Sequence, residues 1–205
     1  MVYTVVLEAT AARIESSSLS LGTKLGDKMQ IFTQKDILKS EERSEYEIID
    51  NFLSLQDFEK IQYEMLMSGN IAWRYNPFVS FDDTTEDDYY FTHRFYDKSL
   101  ELSNCFYVLS SLLNKMDIKA IRRIKANLYP KSNVPYEDKM HIDFEFPHKG
   151  AIFYINTNNG YTKLQDGTKI DSVANRLLLF NPHEPHCSAR CTDEKVRVNI
   201  NFNYF

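Results

Sequence analysis

The first half of the chain has apolar residues at the three- and four-residue spacing of helices. Ser54 is placed to cap a helix, because Phe58, Ile61 and Met65 follow it on one face at that spacing. The same spacing at residues 100–116 predicts a second helix. Strands are predicted before and between these helices, at residues 2–7, 46–50 and 89–96.

From residue 117 onward, short β-rich segments follow one another, separated by turn residues. No helix-length pattern lies between them, which disfavours a parallel sheet and favours an antiparallel sandwich or barrel with helices packed outside. We therefore expect one domain, residues 1–205, with a strand and helix support region at 1–118 and a β core at 119–205. The predicted strands of the core are residues 120–129, 139–144, 151–156, 161–164, 175–180 and 196–204.

The last predicted strand has two chemically different faces, because successive side chains of a strand point to opposite sides. An isolated strand of this kind ordinarily turns its polar face to water. Asparagine is a poor residue for an exposed strand, however, and a row of asparagines with one arginine suits a cavity for a polar, anionic ligand. The other face would then pack against the helices. The apolar residues are Val196, Val198, Ile200, Phe202 and Tyr204, and the polar ones are Arg197, Asn199, Asn201 and Asn203.

The charge balance limits the partners. The 205 residues include 24 Lys and Arg and 29 Asp and Glu, a formal net charge of −5. Nonspecific nucleic-acid binding depends on cationic contacts to phosphates, so this balance argues against a nucleic-acid partner. One basic cluster is predicted to be an exposed strand edge, with nucleic-acid contact as the alternative. It consists of Lys119, Arg122, Arg123, Lys125 and Lys131.

The cysteine count and the apolar runs indicate the compartment. Three cysteines do not form a disulfide framework. No run of about 18 apolar residues is present to cross a membrane. The first residues lack the basic start, apolar core and cleavage site of a secretory leader. We therefore expect a protein of the reducing cytoplasm with no membrane partner; the sequence leaves its oligomeric state open.

Candidate chemistry begins with His141 and Asp143, which stand two positions apart and hence on one face of a predicted strand. This spacing lets an imidazole and a carboxylate reach one metal ion, although the same pair also occurs on exposed strands. His186 follows a buried-looking strand, and Arg197 stands eleven positions beyond it. A His-x-Asp pair, a distal histidine and then an arginine form the ligand set of a non-haem Fe(II) facial triad with a carboxylate-binding arginine.

At these residues the sequence resembles the Fe(II)/2-oxoglutarate-dependent oxygenases, whose fold is a double-stranded β-helix, a jelly roll of the cupin type. Within them it is most similar to the prolyl 4-hydroxylase branch and its phage-encoded relatives. The resemblance extends from about residue 46 to the C-terminus and is dense from residue 123 onward. The segments that carry it are residues 125–130, 140–143, 151–156, 159–162, 175–180 and 186–197.

The resemblance implies that His141, Asp143 and His186 are the ligands of Fe(II). It also implies that Arg197 pairs with the distal carboxylate of 2-oxoglutarate, and that Tyr154 hydrogen-bonds the same carboxylate. The further residues that it assigns to the cosubstrate pocket are Tyr129, Asn127 and Thr162.

The implied reaction uses dioxygen to decarboxylate 2-oxoglutarate to succinate and to hydroxylate an unactivated C–H bond. Its substrate would be a protein side chain such as prolyl, or a small molecule. Residues 159–164 keep only part of the Gly-Gly-x-Thr-x-Phe pattern of prolyl hydroxylases, which puts prolyl specificity in doubt. A phage-encoded chain of this kind would act in the host cytoplasm.

Three alternatives stay open at this point. His183 competes with His186 as the distal ligand, and we favour His186 because of its distance from Arg197. The same cavity could instead belong to a noncatalytic jelly-roll binding module for an anionic or sugar ligand. A cupin-like metal hydrolase or isomerase, which consumes no oxygen, is the third alternative.

Overall fold

The computed structural model describes residues 45–77 and 89–205, so the predicted strand at residues 2–7 lies outside the described residues. Two helices are described, α1 (Leu55–Leu66) and α2 (Ser110–Lys115), the second directly preceded by a 3-10 turn at Phe106–Leu109. The strands of these ranges are β1 (Tyr46–Ile49), β2 (Arg74–Asn76), β3 (Tyr90–Asp97), β4 (Leu100–Glu101), β5 (Ile121–Pro130), β6 (Lys149–Tyr154), β7 (Tyr161–Leu164), β8 (Lys169–Asp171), β9 (Leu177–Phe180), β10 (His186–Ser188) and β11 (Val196–Tyr204).

The strands form a large and a small antiparallel sheet. In the described chain the large sheet has the order β1-β9-β6-β11-β5-β3-β2, with β4 paired to β3, and the small sheet has the order β10-β7-β8. Strand β11 lies between β5 and β6, so that Asn199 is opposite Asn127 on one side and Tyr154 on the other. This is the mainly β architecture with packed helices that the sequence predicts.

The apolar face of β11 packs on the helices, as predicted. Val198, Ile200 and Phe202 belong to one buried cluster with Phe58 and Ile61 of α1. The helices therefore cover one face of the large sheet, and the polar residues of β11 point to the opposite side.

Local signals located α1 correctly. The Ser54 hydroxyl accepts a hydrogen bond from the Asp57 backbone N–H at 3.2 Å, which caps the first turn. Gln62 Nε2 donates to the Ile155 carbonyl at 2.8 Å and ties the helix to the chain after β6.

Within the described ranges, no helix has the length and apolar character needed to cross a bilayer. Cys105, Cys187 and Cys191 are free thiols, in agreement with the expected lack of a disulfide framework.

The predicted helix at residues 100–116 is wrong over its first half. Lys98 and Ser99 both have positive φ, of 52° and 63°, and turn the chain back so that Leu100 pairs with Asp97. Two positive φ values suit a tight hairpin turn. Residues 100–101 therefore form β4, and the α-helix begins only at Ser110.

The predicted strand at residues 139–144 is also wrong. Only His141 pairs there, in an isolated bridge with His186, and the Asp143 backbone N–H donates to the Pro182 carbonyl at 3.0 Å. The segment is held at single points, by β10 at His186 and by the preceding loop at Pro182, rather than by a continuous ladder of strand pairing. The predicted strand at residues 175–180 starts late, at Leu177, because the preceding Asn175 has a φ of 61°.

Candidate metal and cosubstrate site

The structure brings the three sequence-predicted metal ligands together. One side-chain ligand atom from each of His141, Asp143 and His186 lies within 4.8 Å of the others. Backbone hydrogen bonds of 2.9 and 3.0 Å between His141 and His186 align the two histidines, and their ring centres are 4.7 Å apart. His183 is not part of this group, and its Nδ1 lies 3.1 Å from the Phe144 carbonyl oxygen.

The Asp143 carboxylate is held ionised by two donors. Arg123 Nη2 donates to Oδ1 at 2.7 Å, and Asn203 Nδ2 donates to Oδ2 at 2.8 Å. Burial by itself raises the pKa of Asp143, but the Arg123 charge, the nearby His186 and the Asn203 hydrogen bond together hold that pKa well below its ordinary range. The carboxylate is therefore charged and oriented at neutral pH.

The two imidazoles are neutral at the same pH. Burial, with the nearby His186 as a second cause, lowers the pKa of His141 to about 4, and burial also lowers the pKa of His186. His186 Nδ1 lies 2.9 Å from the Glu184 carbonyl oxygen, which makes Nδ1 the donor and leaves Nε2 as the free lone pair. That Nε2 is buried and has no hydrogen-bond partner in the described chain. Two neutral imidazoles and one carboxylate form a donor set that fits Fe(II).

Arg197 is fully buried in a cradle of hydroxyl groups. Its Nε donates to Ser172 Oγ at 2.7 Å, Nη1 to Ser188 Oγ at 3.3 Å, and Nη2 to Thr162 Oγ1 at 3.1 Å. Its partners among the described residues are therefore neutral hydroxyls rather than carboxylates. A buried guanidinium without a counter-charge is costly, so the cradle suits an anionic ligand.

Two tyrosines enclose the Arg197 guanidinium. Its central carbon lies 5.3 Å from the ring centre of Tyr129 and 5.7 Å from that of Tyr154. Tyr154 donates to Thr162 Oγ1 at 2.8 Å, and the Tyr129 hydroxyl accepts from Ser188 Oγ at 3.2 Å. Burial raises the pKa of both phenols, so both stay protonated.

The turn before β7 must come very close to Arg197. A Cβ at Gly160 would lie 2.7 Å from Arg197 Cδ and 2.7 Å from the Ala189 carbonyl oxygen. Glycine is the residue that allows this approach.

One cavity joins the two parts of the site. It is lined by the three candidate metal ligands and by the three residues that the sequence assigns to the pocket wall, Tyr129, Asn127 and Thr162. Arg197 and Tyr154 both donate hydrogen bonds to Thr162. Every sequence-predicted site residue is therefore in this cavity wall or bonded to it, while the role of each residue stays a prediction.

Several residues around the cavity were missed or misread in the sequence. The prediction of an exposed edge is wrong for Arg122, Arg123 and Lys125, because β5 lies inside the large sheet, between β11 and β3. The alternation of β5 puts Arg123 and Lys125 on the face of Asn127 and Tyr129, a signal that the sequence does contain. Ser172 and Ser188 carry no comparable signal, because only the folded chain brings their hydroxyls to Arg197.

Comparison with known proteins gives a likeness at the level of structure. No protein-family model matches the chain, and no curated protein matches it. Solved structures of prolyl hydroxylases and of 2OG-Fe(II) oxygenases do match. The chain shares their fold. The double-stranded β-helix implied by the resemblance is thereby confirmed.

Three of the matching solved structures contain different bound molecules. A Trichoplax adhaerens prolyl hydroxylase, in complex with a hypoxia-inducible-factor peptide, is 17% identical with a TM-score of 0.54, over 82% of this chain and 87% of that one. A viral collagen prolyl hydroxylase from Paramecium bursaria Chlorella virus-1, in complex with 2OG, is 15% identical with a TM-score of 0.51, over 77% and 94%. HygX from Streptomyces hygroscopicus, with nickel, 2-oxoglutarate and hygromycin B bound, is 11% identical with a TM-score of 0.50, over 84% and 87%.

Proposed function

We propose that this chain is an Fe(II)- and 2-oxoglutarate-dependent dioxygenase that hydroxylates an unactivated C–H bond. The observation that carries the proposal is a single cavity that joins a His-Asp-His donor set to the buried Arg197 cradle. The shared fold supports it. In this proposal the β core, residues 119–205, contains the site, and the preceding residues 1–118 support it.

His141, Asp143 and His186 would hold Fe(II), which supplies the activation of dioxygen by which 2-oxoglutarate, O2 and R–H give succinate, CO2 and R–OH. The protein groups prepare this chemistry. Arg123 and the Asn203 amide keep Asp143 ionised, and the Glu184 carbonyl orients His186 so that Nε2 is free.

The cosubstrate end of the cavity would bind the distal carboxylate of 2-oxoglutarate. Arg197 supplies the positive charge, and Thr162, Ser172 and Ser188 fix the plane of its guanidinium. Tyr129 and Tyr154 keep water away from the ion pair and strengthen it.

The substrate is proposed to be a protein side chain or a small molecule. The structural neighbours include one with a bound peptide and one with bound hygromycin B, so this fold takes both classes. The compartment that we propose is the cytoplasm, which for a phage-encoded chain is that of the host.

Anaerobic calorimetry with Mn(II), followed by 2-oxoglutarate, tests the proposal. We expect the wild type to bind both. Asp143→Ala should weaken Mn(II) binding more than about 100-fold. Loss of a group that only hydrogen-bonds a metal ligand already weakens binding about 10- to 100-fold, and loss of the ligand itself should cost more. Arg197→Met should keep Mn(II) binding and lose 2-oxoglutarate binding. With Fe(II) and air, the wild type should form succinate.

His183→Ala is the matched control, because this neighbouring histidine lies outside the ligand group and its loss should leave Mn(II) affinity unchanged. If the wild type binds neither Mn(II) nor 2-oxoglutarate, the proposal fails. Binding of 2-oxoglutarate that survives Asp143→Ala and needs no metal would instead indicate the noncatalytic binding module.

A further inference from the structure

The polar face of β11 meets the polar face of β5 in four cross-strand pairs. Along the sheet from the cosubstrate end to the metal end, they are Arg197 with Tyr129, Asn199 with Asn127, Asn201 with Lys125, and Asn203 with Arg123.

In three of these pairs the two side chains contact each other directly. The contacts are Arg197 over the Tyr129 ring at 5.3 Å, Asn127 Nδ2 to Asn199 Oδ1 at 3.0 Å, and Arg123 Nε to Asn203 Oδ1 at 3.1 Å.

In the fourth pair, the Lys125 and Asn201 side chains do not contact each other in this way. Asn201 Oδ1 is buried and has no hydrogen-bond partner among the described residues. The same is true of Asn127 Oδ1, although the amide nitrogen of Asn127 is bonded to Asn199. Lys125 and Asn201 both line the cavity together with the candidate metal ligands. An unpaired buried acceptor opposite a lysine costs free energy in the empty protein. A bound molecule with complementary groups would recover that free energy.

Lys125 offers the cavity a positive charge. Its ammonium nitrogen lies 5.7 Å from the Tyr90 ring centre. The nearby Asp143 carboxylate attracts this charge, but its ion-pair partner among the described residues is Arg123. Burial, together with repulsion from Arg123, lowers its pKa to about 8, so the amine is still mainly protonated at neutral pH.

The arginines close to Lys125 in the sheet already have acidic partners. These ion pairs are Arg123 with Asp143 at 2.7 Å, Arg94 with Asp97 at 3.4 Å, and Arg122 with Asp97 at 3.1 Å. One ammonium group therefore faces the cavity on the metal side of the cosubstrate cradle. A single ammonium matches a singly charged carboxylate better than a phosphate dianion, for which several cationic donors are usual.

We propose that Lys125 and Asn201 form the substrate subsite of this cavity, and that the substrate carries a carboxylate group close to the C–H bond that reacts. The inference rests on the proposed function. The metal centre and Arg197 would bind the two carboxylates of 2-oxoglutarate, whereas the positive charge of Lys125 is available to the substrate. Asn201 Oδ1 would accept a hydrogen bond from an N–H or O–H group next to that carboxylate, as in an aspartyl or glutamyl residue.

The test uses the full chain loaded with Mn(II) and 2-oxoglutarate, which allows binding without turnover. The probes are two matched pairs, the N-acetyl amides of aspartate and asparagine and those of glutamate and glutamine, titrated by calorimetry. We expect at least one acid to bind the wild type about tenfold or more tightly than its amide partner, a difference of about 1.4 kcal/mol. Lys125→Met should abolish that preference, and Lys125→Arg should keep part of it.

Lys60→Met is the matched control, because that lysine is on α1 with 66% of its side chain exposed, and it should leave the preference unchanged. Equal or undetectable binding of acid and amide by the wild type overturns the inference. It is also overturned if Lys125→Met mainly weakens 2-oxoglutarate binding, since Lys125 then belongs to the cosubstrate. A chain that does not take up Mn(II) and 2-oxoglutarate at the loading step contradicts the proposed function instead.

Discussion

Single residues control whether the candidate ligands are in the protonation state that a metal requires. Asp143 is surrounded by protein atoms, yet Arg123 and Asn203 keep it charged. The same burial keeps His141 and His186 neutral, which is the form that binds a metal. Burial therefore favours the metal-binding form of the imidazoles and disfavours the metal-binding, charged form of the carboxylate.

Replacing Arg123 tests this balance. In Arg123→Gln, burial raises the pKa of Asp143 with less opposition, so protons compete with the metal. We expect Mn(II) affinity to fall about 10- to 100-fold at pH 7. The loss of Mn(II) affinity relative to the wild type should become larger as the pH is lowered from 7.5 to 5.5, because only in the variant does the pH then approach the pKa of Asp143.

Calorimetric Mn(II) titrations across this pH range measure the effect. Arg123→Lys keeps a positive charge beside Asp143 and should recover most of the affinity. Identical affinities of Arg123→Gln and the wild type at every pH would contradict the role given to this guanidinium.

At the scale of elements, the small sheet completes the cradle of hydroxyl groups around Arg197. Strand β7 contributes Thr162 and β10 contributes Ser188, and the two residues are directly opposite each other in the sheet. Glu137 holds this sheet from outside, through a bridge to Ala189 and hydrogen bonds from Tyr161 and Lys163. The stability of this sheet therefore bears on the site.

Glu137→Gln should make stability less dependent on acid pH. The hydrogen bonds from Lys163 and Tyr161 lower the pKa of Glu137 to about 2, from an ordinary 4.5. A lowered pKa in the folded state means that the stabilisation is complete above about pH 4.5 and is lost as the pH falls to about 2. Since the Glu137 side chain is one-third exposed, we expect a loss of only about 0.5 kcal/mol at pH 7.

Thermal unfolding followed by circular dichroism at several pH values checks this. The difference in melting temperature between wild type and variant should be present at pH 7 and vanish near pH 2. Glu59→Gln, on the exposed side of α1, is the control. A difference that is constant with pH would rule out the charge as its cause.

At the scale of the whole molecule, one core joins the helices to the β strands. Phe153 of β6 is completely buried, and its ring centre lies 6.3 Å from that of Phe52 and 6.1 Å from that of Phe58. The support region and the β core are thus packed together through shared aromatic contacts, and the single domain stays a prediction that unfolding measurements test.

Phe153→Ala should lower the free energy of unfolding by about 3–5 kcal/mol, because it leaves a cavity between α1 and the large sheet. Urea unfolding measures this, and Phe205→Ala, at a residue that is 46% exposed, should cost far less. Two signals test the single domain at the same time: fluorescence of Trp73, the one tryptophan, and circular dichroism of the strands. Their transitions should coincide. An earlier Trp73 transition would indicate that the support region unfolds separately.

Helix α1 and strand β11 were predictable because their signals are local. A capping serine with apolar residues at helical spacing, and strict alternation over nine residues, are visible within one segment. The hairpin of β3 and β4 was missed because Lys98 and Ser99 are not the glycine or asparagine residues that usually announce such a turn. The His141 segment was misread as a strand, although the proximity of its histidine and aspartate survives in another backbone conformation.

The sequence by itself determined the alternating faces of β11, the mainly β pattern after residue 117, and the order of His141, Asp143, His186 and Arg197. These properties depend on the identities of residues near one another in the chain. The tertiary structure alone decided that Arg123 binds Asp143, that three hydroxyls surround Arg197, and that Lys125 faces an unpaired asparagine. Such contacts depend on the register between strands far apart in sequence, because a shift of one residue in a strand turns every side chain to the opposite face.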